Sequence, residues 1–432
     1  NTLVKTTHSF AYNIVASRGR FETDLTETKL FAIVENYCMV RNIPEEKFFE
    51  TILPAIKRLY NLCLATMQDV GDRQGLLDLA DRFDIDLNDS VEFILDAIPT
   101  VTDSCLQDRK TVSFSEMLYL VARFDYTLPA YGIVFVDECQ DMARSQLIIL
   151  QKLAAQGAKL IMVGDRNQSI YGFRGADSNA IPNLIEGLSA NVLPLDICYR
   201  CPRSHIALVN QIFPDISIQP GPDAIEGEIV SETLDEMIRA NRFVPGKTLV
   251  VCRRNAPLMP AALHLIRSGI PAKVAGRDIV ATLVSFINKI ARITPKNKKN
   301  ESMDLASFFS LLAEYQSKEI AKISSRRGDN AAINDKCDTI IALGDGLVSV
   351  KEIIDRIASI FYTEEEGELS TQFVELSTVH KAKGLEADTV IILDSGKIRL
   401  PNVKDQSQER NLHFVALTRA MKTLVFDREE KA

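Results

Sequence analysis

Apolar positions recur along the chain in two rhythms. In "NIPEEKFFETILPAIKRLYNLCLATM", from Asn42, they return at helical spacing, and Pro44 suits a first turn. "VSFSEMLYLVARF", from Val112, predicts another helix. "YGIVFVDE" and "KLIMVGD" instead carry unbroken apolar runs that predict buried strands, with "RSQLIILQKLAAQG" as the helix between them. Such runs, bounded by helices, point to a parallel sheet covered on both faces. At the front, "TLVKTTHSFAYNIV" predicts a strand over 2–6 and a helix from about Ser9.

A second α/β stretch opens near "NVLPLDICYRCP" and contains the strand "TLVVCRR" and the helix "PLMPAALHLIRSG". Residues 281–370 are helical and more polar, with "PKNKKNES" and "SSRRGDN" as exposed loops. "FVELSTVHKAKGLEADTVIIL" then gives strand, loop and strand, and "ERNLHFVALTRAMKTLVF" gives helix and strand. The expected architecture is α/β, in two halves. One comprises 1–24 and 111–192 with a helical insertion at 25–110. The other comprises 193–280 and 371–432 with a helical insertion at 281–370.

Composition narrows the classes. The chain has 432 residues, 46% apolar and 25% charged, as an ordinary globular protein does. No apolar run reaches the ~18 residues of a membrane span. A net charge of −8 argues against a generally basic nucleic-acid coat and leaves room for a locally basic groove. Of eight cysteines only Cys198 and Cys201 are close in sequence. No second pair or histidine partner completes a zinc site, so reduced intracellular thiols are expected. No signal peptide is visible, and the start at Asn1 inside an expected strand reads as a fragment.

The candidate chemistry gathers at strand ends. "VFVDECQD" places Asp137 and Glu138 at the carboxyl edge of a parallel sheet, where such sheets bind ligands. One carboxylate there can hold Mg²⁺ and its neighbour can orient or deprotonate a water. The alternative is a helix start, which also favours acids. "IMVGDRNQSIYGFRGA" follows its strand with Gln168, Tyr171, Phe173 and Arg174. Glutamine can sense a phosphate, and aromatics with an arginine suit a single strand of nucleic acid. The alternative is a loop with buried aromatics.

Taken together these stretches resemble UvrD/Rep-type superfamily 1 DNA helicases. "VDECQD" and "VGDRNQSIYGFRGA" are similar to the family's second and third motifs. "LPLDICYRCP" resembles its "L..NYR" element, "TVHKAKGLEADTVIIL" its "T.H..KGLE...V" element, and "HFVALTRAMKTL" its "YVALTRA" element; "KTTHSFAYNIV" resembles "TFHSFA". The resemblance implies two RecA-like domains, ATP and Mg²⁺ as cofactors, and single-stranded or partial-duplex DNA as partner, with room for a protein partner and none for a membrane. It implies a cytoplasmic protein working on DNA. Asp137 would hold Mg²⁺, Glu138 would be the catalytic base, and Gln168 would meet the γ-phosphate. Arg200 and Arg419 would reach that phosphate as arginine fingers, with a structural ion pair as the alternative for Arg419. Tyr199 would stack on adenine and Glu386 would meet the ribose. Gly384 would let backbone approach closely. His8, Tyr171, Phe173, Arg174, His380 and Lys383 would face the strand. The chain departs from the pattern at Phe173, where many members carry Trp, and at Cys198, where Asn is usual.

The family also needs a phosphate-cradling loop, G-x-x-x-x-G-K-[ST], between a strand and a helix. The one Gly-Lys-Thr here is Gly246-Lys247-Thr248; Asn241 stands at the first glycine position, and the segment leads into a strand. The loop belongs before the "TFHSFA" element, so about a hundred residues of an ordinary motor are expected to be missing. By itself the chain is then expected to be inactive as an ATPase. The alternative is a helicase-like DNA- or protein-binding scaffold without ATPase activity of its own.

Overall fold

The computed structural model describes residues 3–19, 21–108, 110–172, 175–177, 179–293, 300, 302–325, 330–362, 369–400 and 405–428. They fall into two compact units, Asn1–Leu193 and Pro194–Ala432. Most of both predicted polar loops, 295–302 and 324–330, and the candidate residues Phe173 and Arg174 lie outside the described residues. No described helix is long and apolar enough to cross a membrane.

The first unit opens with a helix, not a strand. The hydroxyl of Thr6 accepts the Ser9 N–H at 3.1 Å and starts the helix Thr7–Ala16. Residues 3–6, expected as a strand, have no described strand beside them to pair with. Two short parallel pairs follow: β1 (Glu22–Thr23) with β2 (Thr111–Val112), and β3 (Ile133–Val136) with β4 (Lys159–Met162). Every regular described element between β1 and β2 is helical.

These helices bury a core of their own, with Ile52, Leu59 and Ile94 at its centre, separate from the α/β core around Val15, Val121 and Leu147. A buried polar cluster joins the two. Lys29, on the helix Thr28–Met39, donates to Glu116 at 2.6 Å and to the carbonyls of Thr111 and Cys105 at 2.9 and 3.1 Å. The Tyr60 hydroxyl donates to the other Glu116 oxygen at 2.6 Å. Glu116 also closes a capping box with Ser113 at the start of the helix Phe114–Arg123.

The β3–β4 pair corrects one expectation. It is parallel, as the apolar runs predicted, but only one of its faces is packed. Ile133 is 53% and Phe135 74% exposed, and Ile161 is also exposed. Side chains alternate across a strand, and no described residue covers this second face.

The second unit holds a larger sheet whose central strands are buried on both faces. After the small parallel pair β5 (Ile197–Cys198) and β6 (Gln219–Pro220) come β7 (Glu228–Glu232), β8 (Thr248–Cys252), β9 (Ala272–Ala275), β10 (Phe361–Tyr362), β11 (Val374–Thr378), β12 (Ala387–Ile392) and β13 (Ala420–Asp427). The last seven form one parallel sheet in the order β10-β9-β11-β8-β12-β13-β7. All five residues of central β8 are buried. The Gly246-Lys247-Thr248 turn feeds β8 rather than a helix, which is the wrong setting for a phosphate loop.

Helices between β9 and β10 share a single core with the sheet, running from Val250, Val274 and Leu376 to Phe308, Ile340 and Ile353. Asp335, on the helix Ala331–Leu343, also accepts the N–H groups of Asn255 and Ala256 at 3.1 and 2.8 Å. The helical block therefore holds the loop that follows β8.

Candidate functional site

In the first unit the candidate residues sit at the carboxyl edges of two adjacent parallel strands. Val136 pairs with Met162, so Asp137 and the Gly164-Asp165 turn emerge side by side. Asp137 and Glu138 are exposed. Glu138 has φ +51°, in the left-handed region that a residue other than glycine enters at a cost. That kink ends the strand and turns the chain into the short 3₁₀ helix Cys139–Asp141. The following α-helix, Arg144–Ala155, has no acid in its first turn. Glu138 thus stands at the N-cap of a one-turn 3₁₀ helix, and both carboxylates precede the α-helix rather than lying in its first turn.

One buried amide organises this edge. Gln140 is 2% exposed. Its Oε1 accepts the Asp165 N–H at 3.0 Å, while its Nε2 donates to the Glu138 carboxylate and, at 3.5 Å, to Asp141. Its backbone carbonyl accepts the Ser169 hydroxyl at 3.2 Å. Asp165 in turn accepts the Asn167 N–H at 2.9 Å and the Gln168 side-chain amide at 2.9 Å. Gly164 permits the approach: a Cβ there would lie 2.6 Å from both Cys139 Sγ and Gln140 Oε1. Glu138, Gln140, Asp165 and Gln168 thereby form one hydrogen-bonded chain across the two strand ends. Sequence reasoning assigned Gln140 no role, because spacing alone does not separate a buried amide from a solvated one.

No group of three or more His, Cys, Asp or Glu among the described residues is placed to hold a metal ion. Asp137 stands exposed, with Oδ1 accepting the Glu138 N–H at 2.9 Å. A single carboxylate of this kind fits Mg²⁺, which is commonly held by one or two carboxylates, substrate phosphates and waters.

His8 and Tyr171 also belong to this unit and are half-buried. The His8 ring meets Phe114 edge-on at 5.3 Å. Burial lowers its pKa below the ordinary histidine value, so at neutral pH it offers a neutral ring rather than a cation.

In the second unit three sequence elements converge. Glu386 and Arg419 immediately precede the neighbouring strands β12 and β13, and the Ala387 N–H donates to the Arg419 carbonyl at 3.1 Å. Arg200 donates to Glu386 at 2.5 Å, both side chains being partly exposed, and the Cys201 thiol donates to the Thr418 carbonyl at 3.5 Å. Tyr199 is 78% exposed, leaving its ring open for stacking. Arg419 differs from Arg200: it is 2% exposed, and its guanidinium donates to the Val415 carbonyl at 3.1 Å and the Thr418 hydroxyl at 3.0 Å. It braces the end of the helix Gln406–Leu417 instead of standing free as an outward finger.

His380 lies on the short helix Val379–Ala382 after β11, with Lys383 at its end. Gly384 has φ +88° and nothing within 4 Å of a Cβ built there. Glycine suits this position for its left-handed backbone conformation.

The two units match two family models. Residues 1–188 match the UvrD/REP helicase N-terminal domain, and residues 249–430 match the UvrD-like helicase C-terminal domain. The chain belongs to the UvrD/Rep helicase family, and its α/β units are the two RecA-like domains of that fold. Among similar proteins is F-box DNA helicase 1 of Gallus gallus, 26% identical over 69% of this chain and 29% of the relative. ATP-dependent DNA helicase srs2 of Schizosaccharomyces pombe is 22% identical over 67% of this chain and 46% of its own length. Gabija protein GajB of Bacillus cereus is 28% identical over 72% of this chain and 66% of its own length. The chain thus spans from under a third to about two thirds of these relatives.

Proposed function

We propose that the chain supplies the motor parts of an ATP-dependent DNA helicase or translocase that moves on single-stranded DNA, 3′ to 5′ as the family resemblance implies. The observation that carries this reading is the hydrogen-bonded chain from Glu138 through Gln140 and Asp165 to Gln168 at two parallel strand ends. It holds a base and a phosphate-sensing amide in fixed relation, which is what hydrolysis of a phosphoanhydride requires.

In the proposed mechanism Glu138 takes a proton from the attacking water. Gln168 hydrogen-bonds the γ-phosphate or that water. Mg²⁺ bound by Asp137 would neutralise charge on the phosphates. Arg200 and Arg419 act on the γ-phosphate, Tyr199 stacks on adenine and Glu386 meets the ribose. The Arg200–Glu386 pair is partly exposed, and such pairs contribute only about 0–1 kcal/mol. Exchanging Glu386 for a phosphate therefore costs Arg200 little. Arg419 has to give up its bonds to Val415 and Thr418 first. His8, Tyr171, Phe173, Arg174, His380 and Lys383 face the DNA strand.

The 432 residues contain no G-x-x-x-x-G-K-[ST] loop, so we propose that this chain by itself does not turn ATP over. Phosphate release is measured with ATP, Mg²⁺ and single-stranded DNA, for this chain and for the product of its full reading frame. Release from the full product, stimulated by the DNA and lost in Glu138→Gln, supports the motor. DNA binding without release from either favours a scaffold and overturns the proposal.

A further inference from the structure

Eight cysteines are described and none is in a disulfide; seven are buried and Cys198 alone is half-buried. Cys198 ends β5, and Cys201 lies three residues on, just before the helix Arg203–Ile212. The Cys201 N–H donates to Cys198 Sγ at 3.4 Å, so the turn folds the two residues toward each other. The charged and titratable groups that act on the pair are Arg200 and Arg419.

We propose that Cys198 and Cys201 are a redox-active dithiol, with Cys198 as the attacking sulfur and Cys201 as the resolving one, closing a disulfide across Tyr199 and Arg200. The electrostatics agree. The Cys201 thiol, backbone N–H groups of Cys201 and Arg200, and the Arg200 charge bring Cys198 down to about 5. Cys201 is pushed up by its neighbour's negative sulfur and by burial, as a resolving thiol should be. Burial raises the pKa of each of the other six thiols.

The oxidant is a small-molecule disulfide of the glutathione class. The Cys198 thiolate attacks one of its sulfurs, forming a mixed disulfide and releasing one thiolate, which takes up a proton. Cys201 then loses its proton and attacks Cys198 Sγ, forming the Cys198–Cys201 bond and expelling the second small thiol. The protein dithiol is oxidised by two electrons and the small disulfide is reduced to two thiols. The ring so formed encloses Tyr199 and Arg200. Its effect on nucleotide handling rests on the function proposed above; the redox step does not.

The test uses this chain with oxidised glutathione, in the absence of nucleotide and DNA, with alkylation of remaining thiols and peptide mass spectrometry. The expected product is a 198–201 disulfide, two hydrogens lighter than the dithiol. Cys201→Ser should stop at a glutathione adduct on Cys198, and Cys198→Ser should block both products. Alkylation of Cys198 in Cys201→Ala should still outpace the six buried thiols. In the native chain its rate should change less than about twofold between pH 6 and 8, against roughly 75-fold for an ordinary thiol near 8.5. A persistent mixed adduct in the native chain, faster reaction at another cysteine, or an ordinary pH profile would overturn the proposal. None of these outcomes bears on the ATPase reading.

Discussion

Removing the Gln140 side chain should loosen the whole carboxyl edge of β3 and β4. In Gln140→Ala the Asp165 N–H loses its acceptor at 3.0 Å, and Glu138 loses a charge-assisted donor. An unsatisfied, partly buried donor costs about 1–3 kcal/mol, and a hydrogen bond to a charged group contributes about 1.5–3 kcal/mol. Part of this is recovered because Glu138 is exposed and water replaces the amide. A net local loss of about 3 kcal/mol follows, which is roughly a hundredfold in an opening equilibrium. Native-state hydrogen exchange at the Asp165 amide reads that quantity directly. Protection there should fall about a hundredfold in Gln140→Ala, while the β8 amides of the second unit keep theirs. Gln140→Glu supplies a control: it retains an acceptor for Asp165 but sets a further carboxylate beside Glu138 and Asp141. Its Asp165 protection should survive at neutral pH better than that of the alanine variant. Unchanged protection in Gln140→Ala would show that the amide is a bystander and that Glu138 and Gln168 are not coupled through it.

Glu116→Ala leaves the Lys29 ammonium and the Tyr60 hydroxyl without their carboxylate between the two cores of the first unit. Breaking a buried pair in this way costs about 3–5 kcal/mol, whereas Lys29→Met with Glu116→Leu should cost much less; urea unfolding of this unit's signal checks both, and equal losses would refute the pair's role. His413 has Nδ1 buried without a hydrogen-bond partner and its ring edge-on to Phe213 at 5.5 Å. Burial, helped by Arg399, lowers it to about 4. Because the unfolded chain protonates near 6.5, stability contributed by neutral His413 is complete above that pH and is lost as pH falls toward 4. Unfolding at pH 4.5 against pH 7 should show a loss on the order of 2 kcal/mol that His413→Phe removes; an identical pH dependence in the variant would contradict the assignment.

The sequence made the second unit legible because its central strands carry strongly apolar runs. "TLVVC" and the "VII" of β12 are buried on both faces and pair in parallel, as such apolar runs require. The first unit was less legible for the same reason in reverse. "IVFV" looks like a fully buried strand, yet Ile133 and Phe135 are exposed, since an apolar run says what a strand can bury and not what is present to bury it. Residues 3–6 failed similarly, with strand composition but no pairing to a strand among the described residues. Motif spacing picked out Asp137, Glu138, Gln168, Arg200 and Glu386 as candidates. It did not show that Arg419 is buried, that Arg200 and Glu386 are paired, or that Gln140 ties two strand ends together. The Arg200–Glu386 and Gln140–Asp165 contacts join residues far apart in the chain, and the burial of Arg419 depends on what packs around it, so no local pattern encodes them.

The central proposal is that Arg200 acts on the phosphates of ATP, and DNA-stimulated phosphate release by Arg200→Ala in the product of the full reading frame tests it most directly. An arginine that stabilises the transferring phosphoryl group is worth about 10³–10⁵ in rate. The account predicts a loss of at least about a thousandfold with single-stranded DNA binding retained. Turnover at the native rate would contradict it.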